Sequence, residues 1–418
     1  MTDAAANVET GDRLRTGSVG RSLAKRNALV LCAAQAVVGA AAPISISMGG
    51  LAGDYLLSTD KSLATAPVTG FNVGLAIGAL GAAWIMRGVG RRLGFMSGAA
   101  VTGIGGGLAA LALFMHEFWF FAFGLLIVGI GGAFVQQYRF AAADGAPPSF
   151  KPKAISWVLA GGVFAAIIGP QTVIFTRQAF PTVPFAGVYV ALIALGLIGM
   201  IILSFLRIPE AVAGDASDEA ESPARPLVEI VSQRRFLTAL TCSVGSYTLM
   251  TFLMTGAPLA MVACGFSPDL ATLGIQWHVM AMFAPSFFTG RLIVRFGQTA
   301  VVSTGLVILI ICAAVAYAGI ELWNFWLSLI LLGLGWNFGF IGSTAMVTAT
   351  YRPSEKNKVQ GFHDTVLFSL VALASLASGV VLNVWGWESL AFLVWPVAGA
   401  CLLVLALQVA ADKRLHGQ

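Results

Sequence analysis

Twelve long apolar runs decide what this chain can become. They lie at 29–51, 64–86, 93–115, 118–140, 154–176, 184–206, 234–258, 269–292, 298–319, 323–349, 359–383 and 388–411. Each is long enough to cross a hydrocarbon core as an α-helix, which needs about 20 apolar residues. Within that core every backbone N–H and C=O must find a partner inside the protein, so only helices and closed barrels cross it. Barrel strands would be shorter and would alternate apolar with polar residues, and no such alternation occurs here. The expected fold class is therefore an all-α membrane protein with about twelve transmembrane helices. The composition agrees: 58% of residues are hydrophobic and 10% charged, against about 25% charged in soluble domains. The first run follows more than twenty polar residues and is too long for a signal-peptide core, so it is expected to be a span.

The cations test that count. With twelve spans and both termini cytoplasmic, all but two of the 24 Lys and Arg residues fall in cytoplasmic tails and links, Lys61 and Arg177 being the exceptions. This is the positive-inside distribution. It accounts for the net charge of +5 without a nucleic-acid partner, and none is expected. The expected location is a bacterial inner membrane, in contact with the lipid bilayer. The five cysteines lie in or beside spans without metal-ligand spacing and read as small apolar residues. Neither a metal nor a cofactor is expected.

The domain plan follows. Residues 1–26 are a polar, basic tail expected to be disordered, and 413–418 form a second cytoplasmic tail. Residues 209–232 carry PEAVAGDASDEAESPARP, a solvated cytoplasmic linker dividing the spans six and six. The halves, 27–208 and 233–412, share three markers. GIGGAF at 129–134 matches GLGWNF at 333–338, an offset of 204. Lys153 matches Lys358, an offset of 205, and the 87–92 turn lies about 207 before the turn at 295–298. Such duplicated halves bracket a midplane solute site reached by rocking one half against the other.

Two cytoplasmic turns carry the most specific motif. Gly290, Leu292, Arg295 and Gly297 form one turn; Gly90, Arg91 and Arg92 end the other. These turns resemble the signature of the major facilitator superfamily, Gly-x-Leu-x-Asp-Arg-x-Gly-Arg-Arg/Lys. The resemblance implies two six-helix halves and alternating access. Both copies depart from the signature. Ala83 and Arg87 stand at the Gly and Asp positions of the first, and Val294 at the Asp position of the second. Asp144 and Glu355, at the cytoplasmic ends of spans four and ten, could supply the missing carboxylates. The expected gating residues are thus Arg91, Arg92, Asp144, Gly290, Arg295, Gly297 and Glu355. Gly169-Pro170 resembles the family's fifth-span Gly-Pro motif but lacks its trailing Gly pair, and it reads as a kink. PSFFTGRLIVRFG at 285–297 and YRPSEKNKVQGFHD at 351–364 resemble a subgroup of the family that includes alphaproteobacterial riboflavin importers, which implies riboflavin as the solute and uptake as the direction.

Polar and aromatic residues within the spans mark where a solute could bind, because buried polar groups need partners. The candidates are Gln35, Asn72, Gln137, Gln171, Tyr247, Trp277, His278, Trp336 and Asn337. Tyr247, Trp277 and Trp336 could stack on a flat ring, and Gln35, Gln137, Asn337 and His278 could meet its edge. No carboxylate lies deep in a span. His278 is the one midplane titratable group and could act as a proton switch, so proton coupling and facilitated diffusion both stay open. No GxxxxGK[ST] or HExxH occurs, and GIGGG at 103–107 lies inside a span. The reading is a secondary transporter for a small organic solute, not an enzyme, acting as a monomer. A proton-antiporting exporter of drugs or metabolites is the alternative. A lipid-modifying enzyme is the alternative of another class, with His363–Asp364 its one candidate pair.

Overall fold

The computed structural model describes residues 22–58, 60–144, 146–147, 150–207 and 225–416. The expected tail over 1–21, most of the expected linker and residues 417–418 lie outside them. Six helices form the first half: α1 (Ser22–Leu56), α2 (Ala66–Met86), α3 (Gly88–Phe114), α4 (Phe118–Asp144), α5 (Lys153–Thr176) and α6 (Ala186–Ser204). A short helix, Leu227–Val231, ends the linker. The second half begins with α7 (Arg234–Ala263). Next, α8 consists of Pro268–Phe283 and Ser286–Phe296, bent by 42°. Then come α9 (Gln298–Tyr317), α10 (Leu322–Thr348) and the 55-residue run Lys358–Asp412. At 1.5 Å per residue that run would be about 80 Å long, over twice a hydrocarbon core. It breaks at Gly386, whose φ is 79°, into α11 (358–385) and α12 (387–412). Ten helices pass as spans as they stand; the bent pair adds an eleventh, and the break at Gly386 a twelfth. No strand occurs among the described residues.

Short links make successive helices antiparallel, so an even number of spans returns both described chain ends to one end of the bundle. We call this the terminal end and the other the far end. Exposed Trp119, Trp323 and Trp385 ring the far end and exposed Trp84 lies at the terminal end, as in the aromatic belts of membrane proteins.

The sequence repeat has a packing cause. Gly129 of α4 leaves no room for a β-carbon beside the Phe71 carbonyl of α2, and Gly333 of α10 leaves none beside the His278 carbonyl of α8. Two residues on, Gly131 packs against Gly98 and Thr102 of α3, and Gly335 against Gly305 and Leu309 of α9. Each half thus inserts the same Gly-x-Gly between the same pair of neighbours, and small residues are what allow helices in lipid to approach so closely. The turns repeat as well. Gly90 and Gly297 have φ of 79° and 83°, a left-handed region that residues with a β-carbon rarely adopt.

The bend in α8 occurs at Ala284-Pro285. Proline has no N–H to continue the helix. Asn337 of α10 is fully buried there. Its Nδ2 donates to the Met282 carbonyl at 2.6 Å and to Ser286 Oγ at 2.7 Å. Its Oδ1 accepts from Thr289 Oγ1 at 2.5 Å. One amide side chain therefore fastens both sides of the break.

Candidate solute site and gates

An aromatic cluster lines the second half. Trp336 and Phe340, one turn apart on α10, stack at 5.1 Å between ring centroids. Tyr247 of α7 meets both edge-on, at 5.5 and 5.0 Å, and Phe368 of α11 closes the group 6.2 Å from Tyr247. Edge-to-face pairing of this kind holds rings rigidly. The Trp336 indole N–H and the Ser246 hydroxyl are buried there without partners. Unmet donors in a span are costly, and a polar ligand can satisfy them.

Charged groups flank the cluster. Arg139 of α4 and Asp364 of α11 lie in opposite halves, each within electrostatic range of the Tyr247 hydroxyl and of the other. Asp364 Oδ1 bonds His363 Nδ1 at 2.9 Å, and His363 Nε2 bonds Ser243 Oγ at 2.9 Å. A neutral ring donating from Nδ1 to the carboxylate and accepting from Ser243 satisfies all three. The order Ser–His–Asp resembles a hydrolase triad, but Ser243 lies in mid-helix, fully buried. The backbone N–H groups around it serve the helix, so no oxyanion donors face its hydroxyl. The chain orients Asp364.

The remaining candidates are distributed as follows. Gln171 of α5 donates to Gln276 of α8 at 2.9 Å, across the two halves. Half-buried Gln137 marks the break between Phe118–Gln136 and Tyr138–Asp144 within α4. Half-buried Gln35 packs its Cβ against Gly161. Asn72 donates to the Val68 carbonyl one turn back at 3.1 Å. His278 is fully buried; its Nδ1 bonds the Leu329 carbonyl at 2.8 Å and its Nε2 has no partner. Trp277 is 40% exposed, on the side of α8 opposite buried Ile275 and Val279, and makes no ring contact with the aromatic cluster. Asn337 serves the α8 break. The structure thus gathers Tyr247 and Trp336, pairs Gln171 with Gln276, and separates Trp277, His278 and Asn337 from the ring cluster's contacts. The cation census puts Arg139 in the cytoplasmic link after span four, whereas it lies inside α4, and a search for uncharged polar groups passes over Phe340 and Phe368. Their spacing was the available signal, since Phe340 follows Trp336 and Phe368 follows Asp364 by four, one face of a helix in each case.

The expected gates divide by half. Arg91 meets Asp144 at 2.5 Å, with both side chains partly exposed, tying the α2–α3 turn to the end of α4. Arg92 is exposed. Glu355 is fully buried and accepts from Arg225 Nε at 2.9 Å and Nη2 at 2.8 Å, and from the backbone N–H of Arg225 and of Arg352. The Arg225 guanidinium, then the two backbone donors, hold its carboxyl well below the usual range. Glu355 thereby anchors the linker to the second half. Arg295 lies over the Phe296 ring at 5.2 Å. Gly290 has open space where a β-carbon would go, so close packing does not require glycine there.

Links between the halves gather at the far end. Arg177, just after α5, pairs with Asp269 at the start of α8 through Nε–Oδ1 at 2.5 Å and Nη2–Oδ2 at 2.8 Å. Thr65, before α2, donates to the Leu376 carbonyl of α11 at 3.4 Å, and Gly50 of α1 packs on Leu259 of α7.

Two similar six-helix halves, clasped at one end and enclosing buried polar and aromatic groups, define a multi-pass membrane carrier, a secondary transporter. The chain belongs to the Major Facilitator Superfamily, whose family model matches residues 27–286 and 278–417. It is 47% identical over 386 residues to the riboflavin transporter RfnT of Brucella anthropi, covering 92% of this chain and 96% of that one. Two solved structures share the fold. The POT family transporter PepTSo has a TM-score of 0.70 at 12% identity, covering 94% of this chain and 99% of that one. A D-xylose–proton symporter has a TM-score of 0.68 at 14% identity, covering 92% and 95%.

Proposed function

We propose that this transporter takes up riboflavin across the bacterial inner membrane by alternating access. The observation that carries the reading is the 47% identity to a riboflavin transporter, spread over 92% of the chain. The aromatic cluster supports it, because Tyr247, Trp336, Phe340 and Phe368 offer ring faces to a flat heterocycle. Half-buried Gln137 of α4 and the Gln171–Gln276 pair, which bridges the two halves, are further polar groups inside the spans.

The Lys and Arg distribution makes the terminal end cytoplasmic. The far-end clasps then describe a conformer closed to the outside. Opening outward requires the Arg177–Asp269 pair to part, while Arg91–Asp144 and Arg225–Glu355 keep each half rigid as it rocks. A single chain encloses the whole site, so a monomer suffices.

Uptake of labelled riboflavin by an auxotroph expressing the chain tests the reading. Saturable uptake that unlabelled riboflavin competes away is the expected result. No uptake, with the protein shown to be in the membrane, overturns it. External pH and a protonophore, applied to the parent and to His278→Gln, test proton coupling. An unchanged pH profile in the variant excludes His278 as the coupling group.

A further inference from the structure

Arg139 carries a charge that the protein does not use. Among the described residues it makes no hydrogen bond or ion pair, its Nε is buried without a partner, and its ring neighbour is Phe140 at 4.8 Å. A guanidinium held within a span normally faces a counter-charge or a water-filled path, and five fixed N–H donors make it a reader of planar acceptors. Asp364, in the other half, is within electrostatic reach of it, yet among the described residues the two form no ion pair. Asp364 is instead steadied from behind by the His363–Ser243 chain, and its own side chain stays 55% exposed.

Tyr247 is within electrostatic reach of both charges and is the hub of the aromatic cluster, to which Phe368, one turn after Asp364 on α11, also belongs. The same cluster contributes the unpartnered indole N–H of Trp336, which is 8% exposed, and the unpartnered hydroxyl of Ser246. Two sets of donors and one acceptor carboxylate therefore border a stack of rings. A solute that completes this set is flat and presents acceptors to Arg139 and a donor to Asp364 along one edge. A cyclic imide, O=C–NH–C=O, has that pattern.

We propose that Arg139 and Asp364 determine specificity by reading the imide edge of a planar heterocycle. Arg139 donates to an imide carbonyl, Asp364 accepts the imide N–H, and Tyr247 and Trp336 pack the ring. The Ser243–His363 chain positions Asp364. This rests on the riboflavin reading to the extent that a flavin carries such an edge; the edge itself defines a wider class that includes lumazines, xanthines and uracils.

The test uses the full-length protein in detergent and riboflavin fluorescence quenching, with riboflavin and N3-methylriboflavin as ligands. The methyl group removes the imide donor and leaves the ring intact. The parent is expected to bind riboflavin about 10- to 100-fold more tightly than the methyl compound, the ratio for losing one hydrogen bond to a charged group. Asp364→Ala is expected to abolish that preference. Arg139→Gln is expected to weaken riboflavin about 10- to 100-fold in Kd, with Arg139→Lys between the two. Equal affinity of the parent for the two ligands overturns the proposal, and this arm needs no variant to fold. Parental Kd in monodisperse Arg139→Gln also overturns it. So does an unchanged Kd with altered transport rate in both variants, restored by exchanging the two charges, since that result describes a latch. If the parent binds no riboflavin, the riboflavin reading fails by itself. Lumazine, xanthine and uracil, each against its N-methylated imide, then decide the edge: a preference for the free imide upholds it, and no binding or no preference overturns it.

Discussion

Replacing Asn337 by Leu removes the clamp on the α8 break while keeping the same branched skeleton of heavy atoms. Three hydrogen bonds disappear, two donated by Nδ2 and one accepted from Thr289. Side-chain hydrogen bonds between membrane helices average about 0.6 kcal/mol and reach about 1.7, so three contribute about 2 kcal/mol. The Met282 carbonyl is also left buried without this donor, a penalty of about 1–3 kcal/mol in its own right. We therefore expect Asn337→Leu to lower stability by about 3–5 kcal/mol. Unfolding by titration with SDS in mixed micelles, followed by tryptophan fluorescence, measures the loss. A double-mutant cycle with Thr289→Val isolates the pairing: that change should cost about 0.5–1.5 kcal/mol more in the parent than in the Asn337→Leu background, where the hydroxyl still donates to the Pro285 carbonyl at 2.8 Å. The reasoning fails if Asn337→Leu unfolds within about 0.5 kcal/mol of the parent, or if the Thr289→Val cost is the same in both backgrounds.

Four further outcomes are expected. Arg177→Gln and Asp269→Asn each break the far-end clasp; the pair is partly exposed, with side chains 17% and 35% accessible, so screening limits its worth to about 1 kcal/mol, a several-fold shift toward the outward-open state, read by thiol labelling of far-end cysteines. Glu355→Gln removes an acid-labile anchor: the carboxyl's pKa is depressed in the folded protein, so its stabilisation is present above the ordinary carboxylate range and is lost as pH falls below about 4.5, and the variant's unfolding should be less pH-dependent than the parent's in acid. Gly333→Ala drives a β-carbon into the His278 carbonyl and should cost about 1–3 kcal/mol, visible as reduced folded yield. Trp277→Ala should leave riboflavin Kd unchanged, whereas Trp336→Ala should weaken it about tenfold, because Trp336 joins the ring cluster and Trp277 does not.

Particular residues show how legible the molecule was. Gly129 and Gly333 were readable as a repeat because the contact each makes demands the absence of a side chain, and that demand is written in the residue type. Gly90 and Gly297 were readable as turns for a similar reason, their backbone angle. The candidate site was only partly readable. Polarity in a span says that a group must be satisfied and is silent about what satisfies it. Gln276, His278 and Asn337 satisfy that demand against a glutamine, a backbone carbonyl and a broken helix. The aromatic cluster depends on three helices meeting, so the sequence offered Tyr247 and Trp336 as separate ring candidates, without Phe340 or Phe368 and without the contact between them.

The sequence by itself determined the helical spans and the two-fold repeat, because bilayer thickness and helix rise act on each segment separately. The tertiary structure decided which polar groups are spent on packing and which are left over. It brought Arg139 within electrostatic reach of Asp364, 225 positions away in the chain. It likewise placed the Arg177–Asp269 clasp at the far end and made a single asparagine the brace of α8. Those outcomes depend on the relative rotation and depth of helices from both halves, which no local pattern of hydrophobicity encodes.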